Sequence, residues 1–265
     1  VKAASPVNAF RSKTAIVSGL TSEYAGPLVH ALLGQGARLA LVESNADVLY
    51  DQLGGVRSPS GMVSGFVCDA AEASVRSAYT QIQARLGAAD MLVTCPPARA
   101  CRPTSAPDLA TFRDIVSACL DHAFVWSLVV GADMRQRRTG VIVHVTGLSG
   151  LGGWRGWGPS GAAFAAIHNL VQSMALEYAA DGVRVNGLIP GVTQSMAQAI
   201  LEHTPTLDEA RLMTRIPQGR WVSGEALGAA LLYLVQPAAS YVSGEMLTVD
   251  GGWDMWGRLY AAART

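Results

Sequence analysis

Seven short apolar runs, separated by longer stretches with helical periodicity, constrain this chain more than any single residue does. Thr14–Ser18 (TAIVS), Arg38–Glu43 (RLALVE), Met62–Cys68, Asp90–Thr94 (DMLVT), Val141–Val145 (VIVHV), Val183–Ile189 and Glu245–Val249 read as strands. Runs so short and so apolar suit parallel strands covered on both faces. Between them, helices are expected over about Gly26–Leu33, Ala71–Leu86, Leu109–Arg137, Gly161–Ala180 and Ser223–Val235. Strand and helix in alternation predict an α/β chain of repeated βαβ units: three layers around a doubly wound, mostly parallel, seven-stranded sheet. Connections are short except for 193–219, which reads as a lid with helices of its own.

No shift in composition marks a second domain. We therefore divide the 265 residues into an N-terminal arm (1–12), one domain (13–253) and a C-terminal tail (254–265) expected at an oligomer interface. Half of the residues are apolar and 15% are charged, which favours a large interior or surface buried in an oligomer. Twenty basic and twenty acidic side chains balance, so nothing points to nucleic acid or an anionic membrane. Arg135, Arg137 and Arg138 read as a polar helix end before Gly140. No run of about eighteen uninterrupted apolar residues is present, and the first twelve residues lack the layout of a secretion signal. Cys68, Cys95, Cys101 and Cys119 lack zinc-ligand spacing, so no metal is expected, and a reduced, cytoplasmic setting is.

Three segments near the end of the chain are specific enough to carry a resemblance. Val183-Arg-Val-Asn-Gly-Leu-Ile-Pro-Gly191 resembles the sixth strand and Pro-Gly turn of the short-chain dehydrogenase/reductase family. Ser240–Gly252 resembles the family's last strand with its Asp-Gly-Gly close, and Gly219-Arg220 with Gly224-Glu225 its approach to the last helix. The match is co-linear from about Lys13 to Trp253, and implies a three-layer Rossmann fold.

The resemblance also assigns positions around a dinucleotide. In the family, a Thr-Gly-x-x-x-Gly-x-Gly turn brings backbone against the pyrophosphate at a helix N-terminus. Here Ser18 and Gly19 hold the first two positions, but Glu23 and Ala25 stand at the later glycines, with Gly26 a possible one-residue replacement. Glu43 falls where an acid binds the ribose hydroxyls, and Asp69 where an acid meets adenine; each also reads as an ordinary polar strand end. The family's Asn-Asn-Ala-Gly is Thr94-Cys95-Pro96-Pro97 here, with two backbone donors lost to proline. No productive cofactor is expected, although weak binding of NAD or an adenine nucleotide stays open.

Family chemistry uses a tyrosine acid/base, a lysine four residues later, a serine thirteen residues earlier and an asparagine on the preceding long helix. Gapless counting from Val185-Asn186 and Pro190-Gly191 puts those roles at Ser160, Phe164, Gly147 and Cys119, so no catalytic residue of the family's kind is expected. The only lysines are Lys2 and Lys13, and Tyr260-Ala-Ala-Ala-Arg264 imitates the pair only in the tail. Cys95, Ser149, Trp154, Trp157 and Ser160 form a candidate pocket, joined by Thr146 and Arg155, for an anionic or aromatic ligand. His122, three positions after Cys119, suggests a Cys–His pair or plain packing, and His144 a structural histidine.

Three functions remain. The leading one, implied by heteromeric members of the family, is a non-catalytic subunit supporting an active homologous partner in a heterotetramer that handles an acyl thioester. A homo-oligomer is expected if no partner exists. The others are a cofactor-independent lyase, cyclase or isomerase with a rebuilt pocket, and a nucleotide- or ligand-binding regulator.

Overall fold

The computed structural model describes residues 9–56, 59, 61–96, 108–202, 204 and 207–260, with side chains through 256. Lys2, Pro97, Cys101 and Arg264, and the Tyr260 side chain, lie outside the described residues. Strands β1 (Thr14–Ser18), β2 (Arg38–Glu43), β3 (Val63–Val67), β4 (Met91–Thr94), β5 (Gly140–Val145), β6 (Val183–Pro190) and β7 (Met246–Val249) form one sheet. Its order is β3-β2-β1-β4-β5-β6-β7, and every pairing is parallel. The chain winds outward from β1 to β3, then returns to lay β4 on the other side of β1. That reversal opens a crevice at the carboxyl ends of β1 and β4, where Ser18 pairs with Thr94.

Alternation along each strand feeds two cores. Ile16, Ala40, Val42 and Leu92 face one layer, where they meet α3 (Glu72–Leu86), α5 (His122–Arg137) and α6 (Gly158–Tyr178). Ala15, Val17, Leu39 and Val93 face the other, against α1 (Ala25–Gly34) and α9 (Gly224–Val235). A third cluster caps the carboxyl edge, where Leu148, Ile189 and Trp157 pack beneath α7 (Gln194–Glu202) and α8 (Glu209–Met213).

Several elements depart from the sequence reading. Helix α2 (Ala46–Gly55) was not anticipated; only Leu49 of it is buried, and the Asn45 side chain caps it by accepting from the Asp47 and Val48 amides. Helix α6 begins at Gly158, three residues early, because Pro159 suits a first turn. The long helix divides into α4 (Leu109–Val116), a π turn (Ser117–Asp121) and α5. It spans 29 residues and is apolar, but Trp126, Val130 and Met134 lie in the core, so its apolarity is that of a core helix. Arg138 ends α5 in the left-handed region, and Arg135 pairs with Asp181 at 2.6 Å. The arm docks onto the domain through Phe10, which is buried. The tail opens as α10 (Trp253–Tyr260), with Trp253 buried in the third cluster.

Candidate functional site at the carboxyl edge of the sheet

Gly19 follows β1 at φ +86°, and a Cβ there would stand 2.1 Å from the Cys95 carbonyl oxygen. Only glycine fits so close an approach between the two switch-point strands. The turn beyond it spends three of its donors internally. Thr21 N–H donates to Glu43 Oε2 at 3.0 Å, Ser22 N–H to Gly19 O at 3.2 Å, and Ala25 N–H to Ser22 O at 3.0 Å. Gly26 lies in the first turn of α1 and lines a groove shared with α9; a Cβ there would meet nothing within 4 Å. Its open side meets that groove between α1 and α9.

Glu23 and Tyr24 bridge that turn to α7. The Thr193 hydroxyl donates to Glu23 Oε2 at 2.6 Å and accepts from the Met196 amide at 3.0 Å. Tyr24 is buried, with its hydroxyl 3.9 Å from Met196 Sδ. Burial, and then the neighbouring Glu23 carboxylate, hold the Tyr24 phenol well above its usual range.

Glu43 and Asp69 are both tied into the fold by hydrogen bonds. Glu43 accepts from the Thr21, Ser44 and Asn45 amides and from the Ser44 hydroxyl. Burial alone would raise its carboxyl, but these hydrogen bonds outweigh it and hold it below the usual range. Asp69 Oδ1 accepts from the Ala71 amide ahead of α3. Hydrogen bonding to Ser74, then to that amide, keeps this exposed carboxyl low.

At the positions where family chemistry is expected, the side chains pack. Ser160 is 1% exposed, its hydroxyl 3.5 Å from the Trp157 carbonyl. Phe164 is buried, and a Cβ on Gly147 would come to 3.0 Å from its ring, so the phenyl group lies against the glycine. Cys119 is fully buried at the π turn, in the core with Phe164. Cys95 is fully buried too, and burial pushes its thiol up to about 12. The candidate pocket is thus divided by the structure, with Cys95 and Ser160 interior and Ser149 half-buried on the turn after β5.

Two histidines, His144 buried and His122 half-buried, join the strand ends to α5. His144 is held between Thr94 Oγ1 at 2.7 Å and Ser127 Oγ at 3.1 Å, and burial pulls its pKa down to about 3. His122 Nε2 lies 3.0 Å from Ser18 Oγ, and burial lowers it to about 4. Each is a neutral, hydrogen-bonded imidazole, and His122 is partnered by Ser18. His168, which sequence reasoning passed over, stands 2.9 Å from Thr146 Oγ1. Its spacing on α6, eight residues beyond Ser160, puts it on the same helix face and could have flagged it.

Trp154 and Trp157 do share a cavity. It measures about 570 Å³ and opens between the loop before α6 and the α7–α8 segment. Trp253 from α10 lines it, its ring 5.3 Å from that of Trp154 and tilted by 31°. Arg155, Arg211 and Arg215 supply its charge, and the Arg215 guanidinium sits 4.6 Å over the Trp253 ring. Trp253, Arg211 and Arg215 were not anticipated, because only the fold brings the lid and the tail to this loop. Among the described residues, no three His, Cys, Asp or Glu side chains gather for a metal ion.

Residues 25–254 match the sequence profile described as enoyl-(acyl carrier protein) reductase. The chain is 32% identical over 248 residues to the galactitol 2-dehydrogenase (L-tagatose-forming) of Cereibacter sphaeroides, covering 91% of this chain and 95% of that one. A structure described as ribose-5-phosphate isomerase from Brucella melitensis superposes with a TM-score of 0.85 at 26% identity, over 97% of each chain. An actinorhodin polyketide ketoreductase with NADPH superposes with a TM-score of 0.79 at 25% identity, over 91% of this chain and 97% of that one.

Proposed function

Because the chain belongs to the short-chain dehydrogenase/reductase family, we propose that it is a non-catalytic subunit of a hetero-oligomeric oxidoreductase, supporting a homologous partner that carries the chemistry. The observation behind this reading is the packing of Phe164 against Gly147, with Ser160 buried beside them. Hydride transfer in this family needs a proton donor there, and a placed acid/base contributes ~100- to 10,000-fold. Serine and phenylalanine supply none near neutral pH. An acyl thioester is the substrate class we assign to the partner, in keeping with the matching profile.

The nicotinamide dinucleotide that the family implies does not fit the turn after β1 as it stands. The Thr21, Ser22 and Ala25 amides of the turn are engaged by protein oxygens, and the Glu23 carboxylate, tied to Thr193, lies at the approach to α1. An anion brought there meets the charge of another anion. Phe124 on α5, Leu176 on α6 and Tyr233 on α9 expose apolar surface of the kind that an assembly covers.

Co-expression with homologues encoded beside it, followed by native mass measurement, tests the reading. A stoichiometric complex with a homologue that carries Tyr-x-x-x-Lys is the expected result. A stable homo-oligomer that ignores such partners would overturn it. The Trp154–Trp157 cavity favours a second reading, a cofactor-independent lyase, cyclase or isomerase, for which the isolated chain would show turnover that is lost on changing those tryptophans.

A further inference from the structure

We infer that the cavity at the amino edge of the sheet binds a carboxylate carried on an extended apolar chain, with a medium-chain fatty acid as the type ligand. Four neighbouring parallel strands, β1, β4, β5 and β6, begin on this edge, opposite the crevice. Their starts and the 235–243 segment after α9 enclose about 550 Å³. Small-ligand sites usually measure about 300–1,000 Å³. Four strands in a row span three gaps, about 14 Å in all at the usual strand spacing, so the space is elongated and suits a chain. Phe10 and Met91 are buried behind it, whereas Val141 is half-buried and Pro237 and Tyr241 are exposed. Its walls therefore keep apolar surface that the chain itself leaves uncovered.

Charge places the head group. Arg184 on β6 lines the cavity and is half-buried. Its Nη1 donates to the Val242 carbonyl at 3.1 Å, which fixes the guanidinium against the segment after α9. That partner is neutral, and among the described residues no carboxylate pairs with Arg184. Asp90, the acid among the lining residues, is spent beside β1 on Lys13 at 2.8 Å and on the Thr14 amide at 2.9 Å. Burial holds the Arg184 guanidinium below its usual range, with Tyr233 offsetting part of the effect. A desolvated cation without a counter-ion gains from an anion, and a carboxylate matches the N–H groups that Val242 does not use. A cationic head would meet like charge in Arg184 and Lys13, and a neutral one would leave Arg184 uncompensated. The cavity is built from this chain alone, so the inference does not rest on the subunit reading.

Isothermal titration of the full chain with octanoate, with 1-octanol and with acetate tests it. We expect octanoate to bind at least tenfold more tightly than the alcohol, which lacks the charge, or acetate, which lacks the chain. Arg184→Gln should weaken octanoate at least tenfold and leave 1-octanol unchanged. Tyr241→Glu, at a fully exposed position, sets a negative charge on the wall and should weaken octanoate more than 1-octanol. Equal binding of octanoate and 1-octanol, acetate binding as tight as octanoate, no octanoate binding at millimolar concentration, or full affinity in both variants would each overturn the inference. A hetero-complex that forms without octanoate affinity would leave the subunit reading standing and remove this one.

Discussion

The Thr193 hydroxyl donates a 2.6 Å hydrogen bond to Glu23 Oε2, tying the turn after β1 to the entry of α7 across 170 positions of sequence. The bond puts a fixed carboxylate in front of α1, whose N-cap residue offers no side-chain cap of its own. A carboxylate at a helix N-terminus is favourable by roughly 0.3–1 kcal/mol, so the contact both stabilises the helix end and closes the approach to it.

Replacing Glu23 with Gly, together with Ala25→Gly, should therefore open the turn. We expect NADH affinity, followed by fluorescence titration, to rise at least tenfold over the parent chain. Unchanged affinity in a folded variant would mean that the bridge does not govern access.

Phe164 and Gly147 should behave as a coupled pair. Phe164→Ala is expected to cost about 3–5 kcal/mol through lost burial and a residual cavity. Gly147→Ser alone should cost about 1–3 kcal/mol, because its new atoms press on the ring. The double variant should lose less than the sum, as the serine grows into the space the ring vacates; urea unfolding of all four chains measures this coupling.

Acid should destabilise the protein over a defined window. Both imidazoles are lowered from 6.5, His122 to about 4 and His144 to about 3. Between those values and 6.5 the unfolded chain binds more protons than the folded one, so the stability contributed by the neutral imidazoles is full above pH 6.5 and lost as pH falls through 4 and 3. Urea midpoints measured from pH 7 to pH 4 should fall steadily. His144→Asn should flatten that slope while lowering stability at pH 7, since it unpairs Thr94 or Ser127.

The buried thiols should be silent. Burial pushes Cys95 up to about 12, and burial followed by the Asp69 charge pushes Cys68 to about 11, while Cys119 is fully buried. With Cys101→Ser in place, a disulfide reagent at pH 7.5 should titrate no fast thiol in the native chain and three after denaturation.

The sheet was legible because parallel strands covered on both faces must be short and apolar, as β1, β2 and β5 are. Helix α2 escaped notice because ADVLYDQLGG ends in two glycines and buries only Leu49, so its apolar periodicity is faint. The first turn of α6 was hidden by Gly158 and Pro159, which read as loop until the Trp157 carbonyl is seen accepting from Gly161 N–H. At the site, single positions such as Ser160 and Phe164 could be named by counting, but their meaning depended on neighbours far away in sequence. The Phe164–Gly147 packing, the Glu23–Thr193 bridge and the gathering of Trp253 with Arg211 and Arg215 are all tertiary facts. No local pattern encodes them.

The π turn at Ser117–Asp121 sets the phase of everything that follows it on the long helix. Upstream, α4 turns its buried Ile115 inward; downstream, α5 must aim Trp126, Val130 and Met134 at the other core helices. A π turn holds one residue more than an α turn, so deleting one residue here would restore a regular helix and keep those three side chains facing the core, whereas a deletion within α5 would rotate the residues beyond it by about 100°. Residue size is constrained within these five positions, because Cys119 is fully buried in the core. The turn is thus a place where the long helix can lose a residue without unpicking the layer behind it.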